Sequence, residues 1–411
     1  MRPLRFCMIT TFYPPYHFGG DALFVYHLSN LLADRGHHVE VIHCLDSFRM
    51  MARAKPEQDV PARPGVVVHG LESPLGPLSP LATQQTGHPL FKAARLRRIL
   101  GEGFDVIHFH NISLIGGPGI LRYGAGLKLY TTHEYWLLCP MHNFFQFNRR
   151  LCRSRHCISC SLAHGRPPQW WRYSGLMHRS LKRIDALIAP SLFAGEKHAS
   201  AGVDVPIVHL PGFVPDADAN QLSDPRSPDL KPPGPYFLFV GRLERLKGLE
   251  RLIRMFRGYG KATLAIAGRG GDRARLEKAA GASGNIRFYG HVSGRPLADL
   301  YRNAVALIIP SLVYEVSPLV ILEAFQHGTP VIAGNRGVFP EMVGTTGGGW
   351  IYDRDEELVS VMDSLLSDRG LRDNRGRRGR EAYDRAWSPR VHLNRYLDLI
   401  DRLRKGKPRG V

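Results

Sequence analysis

The sequence predicts an α/β protein made of two Rossmann-like, doubly wound domains facing each other across a cleft. Three observations carry this. The chain has 411 residues, more than one ordinary core accommodates, so two domains of roughly 150 to 200 residues are expected. Short apolar runs alternate with stretches of helical period, the pattern of βαβ units on a parallel sheet. The alternation occurs twice, and Pro211 to Pro235, rich in Pro, Asp and Ser, separates the two rounds as a linker would.

The first round opens with a strand at Arg5 to Ile9, which passes through Tyr13-Pro14-Pro15 into Gly19-Gly20 and a helical pattern from Asp21 to Arg35. Strands follow at Val39 to His43, Val66 to His69, Val106 to Phe109 and Leu127 to Thr131, with a helix at Phe91 to Leu100. Ala186 to Ala189 and Ile207 to Leu210 extend the sheet. The first domain is thus 1–212 with a Cys-rich insertion at 136–168, and 213–234 is the linker. The second domain, 235–386, has strands at Tyr236 to Val240, Thr263 to Ala267 and Ile286 to Tyr289, separated by helices at Gly248 to Phe256 and Arg273 to Ala280. Val305 to Ile309, a helix opened by Pro318, and Pro330 to Ala333 continue it.

Composition limits the function. A formal charge of +19 calls for an anionic partner: a nucleotide, a phosphorylated lipid, a membrane surface or nucleic acid. The sequence has no run of about 18 apolar residues, so no spanning helix is expected. Met1-Arg-Pro-Leu-Arg5 is basic, but the apolar stretch after it is short. It reads as the first strand of a cytoplasmic protein rather than as a signal peptide.

The run from Tyr314 to Phe325 is apolar yet carries two carboxylates, Glu315 and Glu323. A buried carboxylate needs a partner. Glu315 falls in the loop after a strand, where α/β folds bind ligands, and Glu323 falls inside the following helix. The N–H groups of Ser317 and Leu319 at the start of that helix suit an anion or a hydroxyl-rich ligand. Each domain also begins with a strand running into glycine: Gly19-Gly20 in the first, and Gly241-Arg242-Leu-Glu-Arg-Leu-Lys247-Gly248 in the second. Arg242 and Lys247, a planar fork and a point charge, could clamp two phosphates. Neither turn has the Walker A or Gly-x-Gly-x-x-Gly pattern. His133 follows an apolar strand on the rim of the expected cleft, and is either a ligand contact or a hydrogen-bonded structural histidine.

Cys139, Cys152, Cys157 and Cys160 crowd one segment. In a cytosolic protein this suggests metal binding rather than disulfides, and four thiolates would make a closed, structural zinc site. Only Cys157-x2-Cys160 has standard spacing, so plain thiols are the equal alternative. Cys7 and Cys44 read as core residues. From Met141 to Ile184 there are nine Lys or Arg and no acid, around Trp170-Trp171-Arg172-Tyr173. With Lys92, Arg95, Arg97 and Arg98 these suit an anionic membrane interface or an anionic acceptor, or simply a solvated basic surface.

Together these residues resemble a retaining glycosyltransferase of the GT-B fold, glycosyltransferase family 4, over nearly the whole chain. The carriers are Gly19-Gly20, Thr132-His133-Glu134, Gly241-Arg242 with Lys247, Phe288-Tyr-Gly-His-Val292, and Glu315-x7-Glu323 followed by Gly328-Thr-Pro-Val331. Val316 stands where many members have glycine. The resemblance implies a UDP- or GDP-linked sugar donor, a glycan or lipid-linked acceptor and no catalytic metal. His133 and Glu315 would then meet the donor sugar, Glu323 would hold the ribose diol, and Arg242 and Lys247 would neutralise the diphosphate. Gly20, Gly241, Gly268, Val292, Ser317 and Leu319 would complete the donor site. It also implies that 387–411 crosses back to the first domain, and that the protein works in the cytoplasm at the inner membrane face, without nucleic acid. Rival readings are a nucleotide-sugar epimerase, a metal-dependent transferase using Asp216-Ala217-Asp218, a catalytically silent scaffold and a basic nucleic-acid binder.

Overall fold

The structure is a computed structural model that describes residues 2–52, 56, 63–216, 230 and 232–406. Most of the 213–234 linker, Ala217 and Asp218 of the Asp-x-Asp triplet, and residues 407–411 lie outside the described residues. The chain forms two compact units: 1–143 with 154–212 and 392–411, and 144–153 with 213–391.

The first unit holds a seven-stranded parallel sheet in the spatial order Val66–Leu71, His38–Cys44, Arg5–Ile9, Val106–Phe109, Leu127–Thr131, Ala186–Ala189, Ile207–His209. Arg5–Ile9 is flanked by Val39 against Phe6 on one side and Val106 against Phe6 on the other. Cys7 and Cys44 are both fully buried in this core.

The second unit holds a six-stranded parallel sheet in the order Ile286–Gly290, Thr263–Ala267, Tyr236–Val240, Ala306–Ile309, Val331–Gly334, Gly349–Tyr352. Along Tyr236–Val240, Tyr236 and Leu238 enter one core while Phe237 and Phe239 enter another. This is the two-residue alternation of a strand covered on both faces. Helix Leu319–Gln326 covers the first face through Ile321, Leu322 and Phe325, and helix Leu249–Gly258 covers the second through Leu252, Ile253 and Phe256.

Numbered along the chain, both sheets run 3-2-1-4 and onward. The order therefore reverses beside the first strand, and the crevice beyond the carboxyl ends of strands one and four is where doubly wound sheets bind ligands. Those ends are Ile9 and Phe109 in the first unit, and Val240 and Ile309 in the second.

Three details differ from the sequence expectation. The helix expected at Phe91 to Leu100 is a short turn, Leu90–Lys92, followed by Ala93–Leu100. Lys92 does not share its basic face: it is 2 % exposed, and its Nζ donates to Ser79 Oγ at 2.7 Å and Thr83 Oγ1 at 3.3 Å. Trp171 and Arg172 are likewise turned inward. Trp171 is buried, and Arg172 lies over the Trp136 and Trp171 rings while donating to the Trp136 carbonyl at 2.8 Å. Burial lowers the Arg172 pKa to about 10. Finally, 144–153 groups with the second unit although its neighbours in sequence belong to the first. It forms a two-stranded antiparallel ribbon, Phe145–Gln146 with Arg150–Leu151, and Phe144 meets Tyr314 edge-on with ring centres 6.5 Å apart.

The last helix, Pro389–Gly406, joins the first unit from His392 onward. His392 Nδ1 is 2.7 Å from the Pro211 carbonyl, the Tyr396 hydroxyl is 2.8 Å from His108 Nδ1, and Arg404 pairs with Asp105 at 2.9 Å.

Candidate active site

In the second unit the ends of three adjacent strands crowd together at glycines. Gly241 N donates to the Ala267 carbonyl at 3.0 Å, and Gly268 N donates to the Gly290 carbonyl at 2.6 Å. A Cβ on Gly268, whose φ is +153°, would lie 1.8 Å from the Gly241 carbonyl oxygen. Only glycine lets these backbones approach so closely. Gly248, at φ +73°, makes a similar close approach to the Pro310 carbonyl as it turns the chain into helix Leu249–Gly258. The turn brings Lys247 against the loop that follows Ala306–Ile309.

There both glutamates find partners. Lys247 Nζ donates to Glu315 Oε1 at 2.6 Å, and Ser311 Oγ donates to the same oxygen at 2.9 Å. The Glu315 side chain is 17 % exposed. Burial pushes its carboxyl up, but Lys247, the two hydrogen bonds and the charge of Arg242 together outweigh burial and hold it below the ordinary range. Arg242 itself pairs with Glu244 at 2.8 Å. Glu323 is partnered by Tyr301, whose hydroxyl donates to Oε2 at 2.6 Å. Burial raises the Glu323 carboxyl above its usual value, and the tyrosine bond opposes this only in part. The site therefore holds one firmly ionised and one reluctantly ionised carboxylate. Ser317 Oγ is enclosed with no hydrogen-bond partner among the described residues, just ahead of the first N–H groups of helix Leu319–Gln326. Val292 is buried after the Gly290 strand end, and Val316 is buried beside Glu315.

In the first unit the strand-end crevice is lined by histidines. His133 Nε2 lies 2.9 Å from His110 Nδ1, and Phe24 packs against the His133 ring at 5.0 Å between centres. His108 lies 4.0 Å from His110, centre to centre, and is held at both nitrogens, by the Tyr396 hydroxyl and by Thr131 Oγ1, each at 2.8 Å. Burial drives His108 and His110 well below the usual histidine pKa, and lowers His133 against the opposing charges of Asp21 and Glu134. All three are neutral near neutral pH. Gly20 opens helix Gly20–Asp34, and Asp21 on its first turn accepts from Asn111 Nδ2 at 3.2 Å, tying the helix start to the end of strand Val106–Phe109.

His108 and His110 were not among the residues singled out from the sequence. Their signal was there: His108-Phe109-His110 alternates at the end of an apolar strand, which turns both imidazoles to one side.

Among the described residues no group of three or more His, Cys, Asp or Glu stands together as a metal site. Cys157 and Cys160 lie on helix Cys157–Ala163, with Cys160 Sγ 3.8 Å from His164 Nδ1, whereas Cys152 belongs to the ribbon of the second unit.

Residues 18–218 match the profile of the family described as Glycosyltransferase Family 4, and residues 221–382 match that described as Glycosyl transferases group 1. The chain belongs to the family 4 glycosyltransferases. The glycosyltransferase is 28% identical to the glycogen synthase of Mycobacterium tuberculosis over 404 residues, spanning 92% of this chain and 90% of that one. Its fold is GT-B. It is similar to the sucrose-phosphate synthase structure from Thermosynechococcus elongatus, with a TM-score of 0.71, 19% identity and coverage of 98% and 100% of the two chains. It is also similar to the Anabaena HepE structure in complex with UDP and glucose, with a TM-score of 0.63, 16% identity and coverage of 97% and 100%.

Proposed function

We propose that this glycosyltransferase moves a sugar, with retention, from a UDP- or GDP-linked donor to a glycan or lipid-linked acceptor, in the biosynthesis of a cell-surface or exported polysaccharide. The observation that carries this reading is the Lys247–Glu315 contact at 2.6 Å, a cation and a carboxylate side by side at the end of the sheet. In the second unit Lys247 and Arg242 neutralise the donor diphosphate as charge builds on it, and Lys247 moves from Glu315 to the phosphates when donor binds. Glu315 is then released to accept hydroxyls of the sugar. Glu323 keeps one oxygen on Tyr301 and uses its remaining acceptor capacity for the ribose diol. In the first unit His133 meets the sugar. In the reaction the bond from the anomeric carbon to the phosphate oxygen breaks, the acceptor oxygen bonds to that carbon on the same face, and the departing phosphate takes the acceptor proton. The HepE complex with UDP and glucose supports a nucleotide-linked donor.

Thermal shifts with UDP, GDP, ADP and CMP test the donor site. A ligand at about 100 times its Kd adds about 2.7 kcal/mol, and the shift is expected with UDP or GDP and to vanish in Glu323→Ala. No shift with any nucleotide would end the proposal.

The acceptor side includes an anionic membrane surface. Glu72 to Glu102 and Glu134 to Asp185 bracket two stretches with no internal acid. Apart from 144–153, these stretches belong to the first unit, where Trp171 Nε1 donates to the Gln84 carbonyl at 2.8 Å. Leu78, Leu81, Phe91, Trp170 and Tyr173 are exposed on them, among the exposed Arg95, Arg98, Arg166 and Arg179. Trp170 is 61 % exposed, which suits an interfacial aromatic. No helix among the described residues is long and apolar enough to cross a membrane. The protein is expected to co-sediment with vesicles containing phosphatidylglycerol but not with phosphatidylcholine alone, and less so as Trp170→Ala with Phe91→Ser. Equal sedimentation with both vesicles removes the membrane.

A further inference from the structure

We propose that His110 is a positioning residue that fixes the tautomer of His133, so that His133 offers an N–H at Nδ1 to its ligand. The inference rests on the reading that His133 meets the donor sugar, and adds which atom it presents and what sets it.

His110 is 1 % exposed, its Nδ1 lies 2.9 Å from Nε2 of His133, and its own Nε2 is enclosed with no hydrogen-bond partner among the described residues. Both rings are neutral, so a single proton lies between the two facing nitrogens. If that proton belonged to His133, His110 would carry its own on Nε2, an enclosed N–H with nothing to donate to. Enclosed N–H groups without an acceptor are rarer in folded proteins than enclosed acceptors without a donor, and the desolvated donor is destabilising. The proton therefore sits on His110 Nδ1 and is donated to His133 Nε2. His133 keeps its own proton on Nδ1.

The surroundings hold His110 in this state. Its backbone N–H donates to the Ile9 carbonyl at 2.9 Å, and His108 packs on its ring. His108 is fixed by Thr131 and by Tyr396 of the last helix. The charged or titratable groups bearing on the pair are His108, His392, Asp21 and Glu134. With Nε2 occupied, His133 cannot take a proton through that nitrogen. It acts as a hydrogen-bond donor to a ligand oxygen, not as a base.

Long-range proton–nitrogen correlation spectra of the full chain, labelled with 15N-histidine, read the tautomer directly. The resonance that disappears in His133→Gln assigns His133. The expected pattern near neutral pH is an Nδ1–H tautomer, and an Nε2–H tautomer or a charged ring would overturn the proposal. A second arm uses turnover. His110→Leu removes the donor, while His110→Asn places an amide N–H where Nδ1 was. Leucine is expected to lower kcat by about 10- to 100-fold, the size of other losses of an orienting partner, with little change in donor KM, and asparagine is expected to restore most of it. Equal loss in both variants would overturn the positioning role. If His133→Gln itself leaves kcat intact, the contact of His133 with the sugar fails and the offered N–H with it, an outcome separable from the spectrum.

Discussion

Lys247→Ala is expected to lower turnover of the donor by about 100- to 1,000-fold, the usual cost of removing a group aimed at developing charge. The same change is expected to destabilise the fold. It strips Glu315 of the cation at 2.6 Å, while Ser311 still donates to it at 2.9 Å and Arg242 is already paired to Glu244. Losing one partner of a buried pair costs about 3–5 kcal/mol. Both side chains here keep some exposure, 22 % and 17 %, so about 1–3 kcal/mol is expected, read as a lower urea midpoint. The double variant Lys247→Met with Glu315→Leu separates the two effects. It removes both charges together and should recover much of the stability while leaving turnover lost. A Lys247→Ala protein with undiminished turnover at saturating acceptor would refute the donor-phosphate role.

Acidification is expected to weaken the protein well before its carboxylates titrate. Burial pushes His43 and His392 down to about 4 from the free histidine value of 6.5. Above 6.5 neither the folded nor the unfolded chain protonates these rings. As the pH falls below it, the unfolded chain takes up protons that the folded chain refuses, so stability drops until about pH 4, where the folded rings accept them too. Each gap corresponds to as much as about 3 kcal/mol, and roughly 2 kcal/mol apiece is expected at about pH 5. Glu323 acts in the opposite sense, since its raised carboxyl protonates more readily in the folded chain. Urea midpoints at neutral pH and at about pH 5 measure the balance, and His392→Gln should flatten the fall. A midpoint unchanged over this range would mean that the folded rings protonate freely.

Much of this was legible in the sequence because it is local. Period and alternation placed the strands, and Gly241-Arg242 and Lys247-Gly248 stood out because turns have few chemical solutions. The need of Glu315 and Glu323 for partners followed from burial alone. Their partners did not, since Lys247 is 68 residues away from Glu315 and Tyr301 is 22 away from Glu323. Charge type was a poor guide to direction. Lys92 and Arg172 were counted as basic surface, yet one sits between buried hydroxyls and the other between two indoles. The cysteines stayed ambiguous for a related reason: spacing along the chain says nothing of which unit each one joins.

The path of the chain bears on how such proteins can recombine. Residues 144–153 and the helix from His392 each belong with the unit that does not supply their sequence neighbours. A crossover at residue 212 would therefore not exchange a self-sufficient cassette. The first half would arrive without Tyr396 and Arg404, and so without the anchors of His108 and Asp105. The second would arrive without Phe144, the aromatic edge on Tyr314. A working chimera that keeps both units whole must therefore carry four junctions instead of one, after residues 143, 153, 212 and 391.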